Sequence, residues 1–225
     1  MREQAALLLS SCAVSKIGRD YFEEAFAPLK ALLEDEDIKV REAAAFTIMR
    51  VSVNDDGCRK LVDNAVPEQM IQSFILHSDG KNVQYEEAQY LISLLEAFIN
   101  LTFSDYGIET LLGKDAIKNF TKILDDVDVK NILNDQWYKI AELSLRVLGN
   151  MSINHDGKQE CIDEKVIERS HAFLVDDPER SNADALNTSL ILMSCSIHLD
   201  GKNQIVNADH HGSPYIIKTM IHRLE

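Results

Sequence analysis

The sequence predicts an all-α protein, an α-solenoid of about four to five stacked units with three helices in each. Three observations carry this expectation. Glycines at 18, 57, 107, 157 and 201 anchor a recurring register. Apolar residues within each register fall at helical spacing. No hairpin signal and no run of alternating β-branched residues argues for strands.

The five glycines are spaced by 39, 50, 50 and 44 residues. Six positions before them stand Cys12, Val51, Leu101, Met151 and Cys195; four before stand Val14, Val53, Phe103, Ile153 and Ile197. Between these apolar columns lie Ala13, Ser52, Thr102, Ser152 and Ser196, all small, which lets neighbouring helices approach closely. Nine before are Leu9, Ile48, Phe98, Leu148 and Leu192, and four after are Phe22, Leu61, Leu111, Cys161 and Ile205. The apolar and small columns together are expected to hold the stack, with Cys12 and Cys195 as small core hydrophobes.

Within one domain, 1–225, residues 1–17 read as the end of a unit, 18–56, 57–106, 107–156 and 157–200 as full units, and 201–225 as a partial or capping unit. A short helical turn follows each glycine, as in CRKLVDN at 58–64 and KQECIDE at 158–164. A second helix comes next: PLKALLE at 28–34, PEQMIQSFIL at 67–76, AIKNFTKIL at 116–124. Pro28 and Pro67 both stand ten positions after a glycine, where a first helical turn tolerates the missing N–H. The third helix is long. Val40, Ala43, Ala44, Phe46, Thr47, Ile48 and Val51 form its apolar stripe in the first full unit, and 84–103 and 136–153 behave alike. Asn54, Ser104, Asn154 and His198, with His155 adjoining, are expected to tie off the last carbonyls of the long helices.

An apolar fraction of 45% with nine Gly and four Pro is the composition of a folded protein with little linker material. The net charge of -14 disfavours nucleic acid, which requires a basic footprint, and favours a protein partner. The acidic runs EDED at 34–37 and DDVD at 125–128 read as solvated loops between helices. Cys12, Cys58, Cys161 and Cys195 form no CxxC pair, which points to reduced thiols in the cytosol. The N-terminal stretch does not read as a signal peptide, and no run of 18 apolar residues predicts membrane insertion.

The register of RKLVDNAVPEQMIQSFI, followed by a polar link and a long helix ending AFINLTFSDYG or RVLGNMSINHDG, resembles the armadillo family over nearly the whole chain. The resemblance implies a right-handed superhelix of the armadillo/HEAT-like kind whose long helices line a concave groove. Asn100 and Asn150 match the family's recurrent asparagine, and the same position holds Ser11, Arg50 and Ser194. One turn earlier lie Leu7, Phe46, Glu96, Arg146 and Leu190. A partner-binding groove is therefore expected at Phe46, Arg50, Glu96, Asn100, Arg146, Asn150 and Ser194, its asparagines pairing with the backbone of an extended peptide. Importin-type members carry tryptophans where Glu96 and Arg146 stand, which disfavours basic-peptide import; Trp137 reads as packing or edge contact.

The chain departs from the family in its two 50-residue units, whose extra length falls in HSDGKNVQY at 77–85 and DDVDVKNILNDQ at 125–136. HHG at 210–212 makes the last unit irregular. Apolar helices at both ends, Ala5 to Leu9 and Ile216 to Leu224, are expected to self-cap or to be buried by a partner or a further segment. At ~25 cal/mol per Å², an uncovered face of a few hundred Å² forgoes roughly 5 to 10 kcal/mol. REQAALLLSSCAVSKIGRD and VREAAAFTIMRVS resemble radial spoke head 14 homologs, armadillo proteins of the ciliary radial spoke. That implies a structural subunit of the axoneme, with radial spoke proteins as partners. A cytosolic adaptor in trafficking or signalling is the alternative.

No nucleotide-binding, nucleophile-elbow or HExxH motif occurs, so no catalytic residue, metal or cofactor is expected. His210 and His211 read as a surface loop. Asn100-Leu-Thr102 and Asn150-Met-Ser152 match a glycosylation acceptor, but Thr102 and Ser152 belong to the small buried column.

Overall fold

The computed structural model describes residues 1–78, 85–125, 135–174 and 182–210. Every regular element among them is helical: α1 (Arg2–Ala13), α2 (Lys16–Asp20), α3 (Glu23–Leu32), α4 (Ile38–Val51), α5 (Asp55–Asp63), α6 (Val66–His77), α7 (Tyr85–Leu101), α8 (Asp105–Leu111), α9 (Ala116–Asp125), α10 (Asp135–Ile153), α11 (His155–Asp163), α12 (Val166–Ser170) continuing into a 3-10 turn (His171–Leu174), α13 (Asn182–Cys195) and α14 (Leu199–His210). The expected order of short, second and long helix recurs through the described chain. Most of both insertions, together with residues 211–212 of HHG and the expected C-terminal helix, lies outside the described residues.

The chain divides into two compact units, Met1–Ala116 with Asn134–Leu143, and Ile117–Leu133 with Ser144–Glu225. In the first, α4 packs between α1 and α7, while α3 and α6 lie against α4 and α7. These three long helices run parallel and nearly in register. Thr47 Oγ1 shares its proton between the carbonyls of Ala43 (2.7 Å) and of Ala6 on α1 (2.8 Å), and Asn100 Nδ2 on α7 donates to Ser52 Oγ just beyond α4 (3.0 Å). Phe26, Leu29, Leu33, Ile48, Met70, Phe74, Leu91 and Phe98 fill the core, with Phe74 and Phe98 edge to face at 6.1 Å. Tyr90 crosses it and bonds Ser73 Oγ, with its hydroxyl 3.3 Å from the Leu33 carbonyl. In the second unit α13 packs on α11, α12 and α14 around Cys161, Ile162, Val166, Ile167, Ile191, Leu192 and Cys195.

The glycine register has a steric cause. A Cβ on Gly18, Gly57, Gly107 or Gly201 would stand 2.0, 1.8, 2.1 or 2.1 Å from the carbonyl oxygen six residues earlier, so each short helix begins hard against the end of the long one. A second recurrence is invisible in residue type. Ala65, Asp115 and Lys165, each eight after its glycine, hold left-handed backbone at φ 51°, 55° and 57°. The first full unit lacks this turn, because α3 starts early at Glu23. Pro28 consequently lies inside α3 and not in a first turn as expected, whereas Pro67 does occupy the first turn of α6.

Three further expectations are corrected. The polar residues three before the glycines cap the following short helix: Ser15, Asn54, Ser104 and Asn154 accept the N–H of Gly18, Gly57, Gly107 and Gly157 at 2.9, 2.9, 3.3 and 3.3 Å. Only Ser15 and Ser104 also reach a long-helix carbonyl, at 3.5 and 3.2 Å, since a hydroxyl can donate as it accepts. EDED is more than solvated loop: Asp35, its side chain only 6% exposed, pairs with Arg2 at 3.1 Å, and Asp37 caps α4 by accepting the Lys39 N–H. Cys12 is exposed and is not the core hydrophobe expected of its column, whereas Cys195 is buried.

Candidate functional site

The expected groove residues sit on long helices. On α4, the exposed Arg50 lays its guanidinium over the half-buried Phe46 ring at 5.1 Å, a cation–π contact that holds the charge at the surface. On α7, Glu96 and Asn100 lie one turn apart and are half-buried. Asn100 spends one amide proton on Ser52 Oγ, and Ser52 passes its own to the Met49 carbonyl (2.8 Å). In the second unit α10 carries Arg146, exposed, and Asn150, half-buried. Ser194 departs from expectation: it is buried at 7% exposure, because a serine is short enough to stay within the packing of α13, where an asparagine reaches outward. Trp137 is buried, as its packing role requires.

The structure adds a feature that the register obscured. Val14, Val53, Phe103, Ile153 and Ile197, the apolar column expected inside, are 60, 65, 68, 60 and 70% exposed. The reason is local. Each follows a small residue at the long helix's end, buried at Ala13, Ser52, Thr102 and Ser152 and half-buried at Ser196, where the chain turns into the next short helix.

In the first unit Val53 and Phe103 flank a cleft of about 260 Å³, lined also by Ser52, Asn54, Asp55, Cys58, Asn100, Ser104 and Tyr106. Tyr106 Oη donates to Asp55 Oδ1 (2.8 Å) and Arg59 stacks on the Tyr106 ring at 5.0 Å, while reaching Asp55 at 3.6 Å. Burial beside Asp55 pushes the Cys58 thiol up to about 12, and its Sγ lies 3.1 Å from the Ser52 carbonyl, so it lines the cleft as a thiol and not as a nucleophile. Burial likewise raises Cys195 to about 11 and Cys161 well above the ordinary value. The cleft is smaller than the ~300–1,000 Å³ of typical small-molecule sites, and suits a side chain.

In the second unit the His155 and His198 rings stand 5.7 Å apart at the starts of two short helices. Among the described residues no group of three or more His, Cys, Asp or Glu is placed to hold a metal ion, and no helix is long and apolar enough to cross a membrane. Thr102 and Ser152 are buried, their hydroxyls donating to the carbonyls of Ile99 and Gly149 at 2.8 and 2.7 Å. The asparagine register locates the expected groove positions on the long helices, but it does not mark Val53, Asp55, Phe103 or Tyr106. For Val53 and Phe103 the one sequence signal, five apolar residues in a column, looks the same for a core position as for an exposed one, and Asp55 and Tyr106 lie outside that column.

Searches with the sequence find no matching protein-family profile and no matching curated protein.

Proposed function

We propose that the chain is a non-catalytic protein-interaction scaffold of the armadillo kind and a structural subunit of the ciliary radial spoke. The observation that carries the scaffold reading is constancy of backbone beside variety of surface. The glycine contact recurs at four anchors and the left-handed turn at three, while the groove positions change from Phe46 and Arg50 to Glu96 and Asn100 to Arg146 and Asn150. A repeat kept for its fold and varied on its exposed side fits serial contacts with other proteins. The radial-spoke reading is supported by the two segments quoted above, and its partners are then other radial spoke proteins of the axoneme. The net charge of -14 turns it away from nucleic acid.

Arg50 and Arg146 are exposed, so reversing both to Glu leaves the core intact. The double variant is expected to melt within a degree or two of the parent, the usual range for surface substitutions, and to lose capture of radial spoke proteins in a pulldown. Undiminished capture would remove the groove as the binding face. Capture of transport or signalling proteins instead would favour the adaptor.

A further inference from the structure

Folding does not account for the exposed apolar column. Core positions are apolar because burial stabilises them, but Val14, Val53, Phe103, Ile153 and Ile197 are each at least 60% exposed. Other columns of the same repeats that reach the surface vary in type: Ser11, Arg50, Asn100 and Asn150 share one, whose last member Ser194 is buried, and Leu7, Phe46, Glu96, Arg146 and Leu190 another. Five of five apolar residues at an exposed position therefore calls for a contact outside the fold.

Resting on the scaffold reading above, we propose that Val14, Val53 and Phe103 form a docking row for an extended, polyproline-II segment of a partner protein, with apolar residues at every third position and basic residues between them. Two features select this occupant. The first is spacing. The row runs across the ends of three parallel packed helices, α1, α4 and α7, whose axes are about 8–10 Å apart in such packings. A polyproline-II chain repeats its side-chain direction every three residues, about 9 Å, and matches that step.

The second is charge. Between Val53 and Phe103 the cleft lining carries the Asp55 carboxylate, which also accepts from Tyr106 Oη, and the Asn100 side-chain oxygen, and none of its lining residues is a cation. Arg59, stacked on the Tyr106 ring at 5.0 Å, reaches Asp55 at 3.6 Å and is not among the lining residues. At about 260 Å³ the cleft admits one long side chain, and a lysine or arginine there finds acceptors at its tip and apolar walls along its stem. Ile153 and Ile197 hold the same position in the second unit.

The test uses the full chain and three twelve-residue peptides, repeats of Ile-Pro-Lys, Ser-Pro-Lys and Ile-Pro-Glu, with binding read by fluorescence anisotropy. The Ile-Pro-Lys peptide is expected to bind, and the Val53→Asp/Phe103→Asp variant to bind it at least about tenfold more weakly, the order lost when two apolar contacts are removed. Both side chains are exposed, so an unchanged melting temperature verifies that the variant is folded. The Ser-Pro-Lys and Ile-Pro-Glu peptides are expected to bind at least about tenfold more weakly to the parent chain. Equal binding of Ser-Pro-Lys, equal binding by the variant, or no binding of Ile-Pro-Lys at about 1 mM would overturn the proposal. So would self-association of the parent chain that the variant abolishes, since a second copy would then own the row. The Arg50→Glu/Arg146→Glu variant keeps the row, so its failure to capture partners and a failure of the peptide to bind are separate results.

Discussion

Gly57 and Ala65 make opposite demands on the backbone eight residues apart. Gly57 sits where a Cβ would meet the Val51 carbonyl at 1.8 Å, and neither backbone can yield without parting α5 from α4. Gly57→Ala is expected to lower stability by about 1–3 kcal/mol, as overpacking does, read from the urea midpoint. Ala65 holds φ 51°, a conformation that costs an L residue with a Cβ but not glycine. Ala65→Gly is expected to raise stability by about 0.5–1 kcal/mol, the net of relieved strain and the greater freedom of the unfolded glycine. Loss on the second substitution or gain on the first would contradict the turn geometry. Sequence shows the first residue and hides the second: a glycine that recurs in register signals close approach, while alanine, aspartate and lysine in one left-handed position share no side-chain chemistry. The exposed apolar column was misread for a related reason. Residue type reports that a position is apolar, but a core and a contact surface call for the same types.

The helices themselves were far more legible. Periodicity placed the long helices well: α4, α7 and α10 fall where the stripes of Val40 to Val51, 84–103 and 136–153 put them. Boundaries suffered where capping chemistry works in either direction. The residues three before the glycines were assigned to helix ends and instead begin the next helix, because an oxygen that can accept from an amide is drawn to the orphan donors of an N-terminus. Packing of α6 on α7 also sets a pH response. His77, at the end of α6, meets the Tyr90 ring edge to face at 5.6 Å, and burial, with the Arg41 charge as a lesser cause, holds it below its ordinary 6.5. Above that value His77 is neutral whether the chain is folded or not. Below it the unfolded chain takes up a proton that the folded chain resists, so stability present at neutral pH falls as the solution is acidified through the folded value. Between about pH 7.5 and about pH 5.5 the urea midpoint of the parent should therefore drop more than that of His77→Gln. An equal drop would place the cause elsewhere.

For the molecule as a whole, residues of both units carry the same register, and each unit builds its own core from the same columns: Ile48, Phe98 and Leu61 in one, Leu192 and Cys161 in the other. That self-consistency is why an all-helical repeat could be read from one sequence. Burial of Ser194, the outward turn of Phe103 and the cleft beside Asp55 depend on side-chain length and on how neighbouring turns meet, which column alignment does not encode. With 37 acidic residues against 23 basic, the surface leaves an excess of carboxylates for a basic partner to meet. The proteins that the chain holds distinguish a spoke subunit from an adaptor. Cross-linking and mass spectrometry of the chain purified from its native source should recover radial spoke proteins, with the Arg50→Glu/Arg146→Glu variant failing to recover them. Recovery of the same proteins by that variant, or of transport and adhesion proteins in place of spoke components, would contradict that expectation.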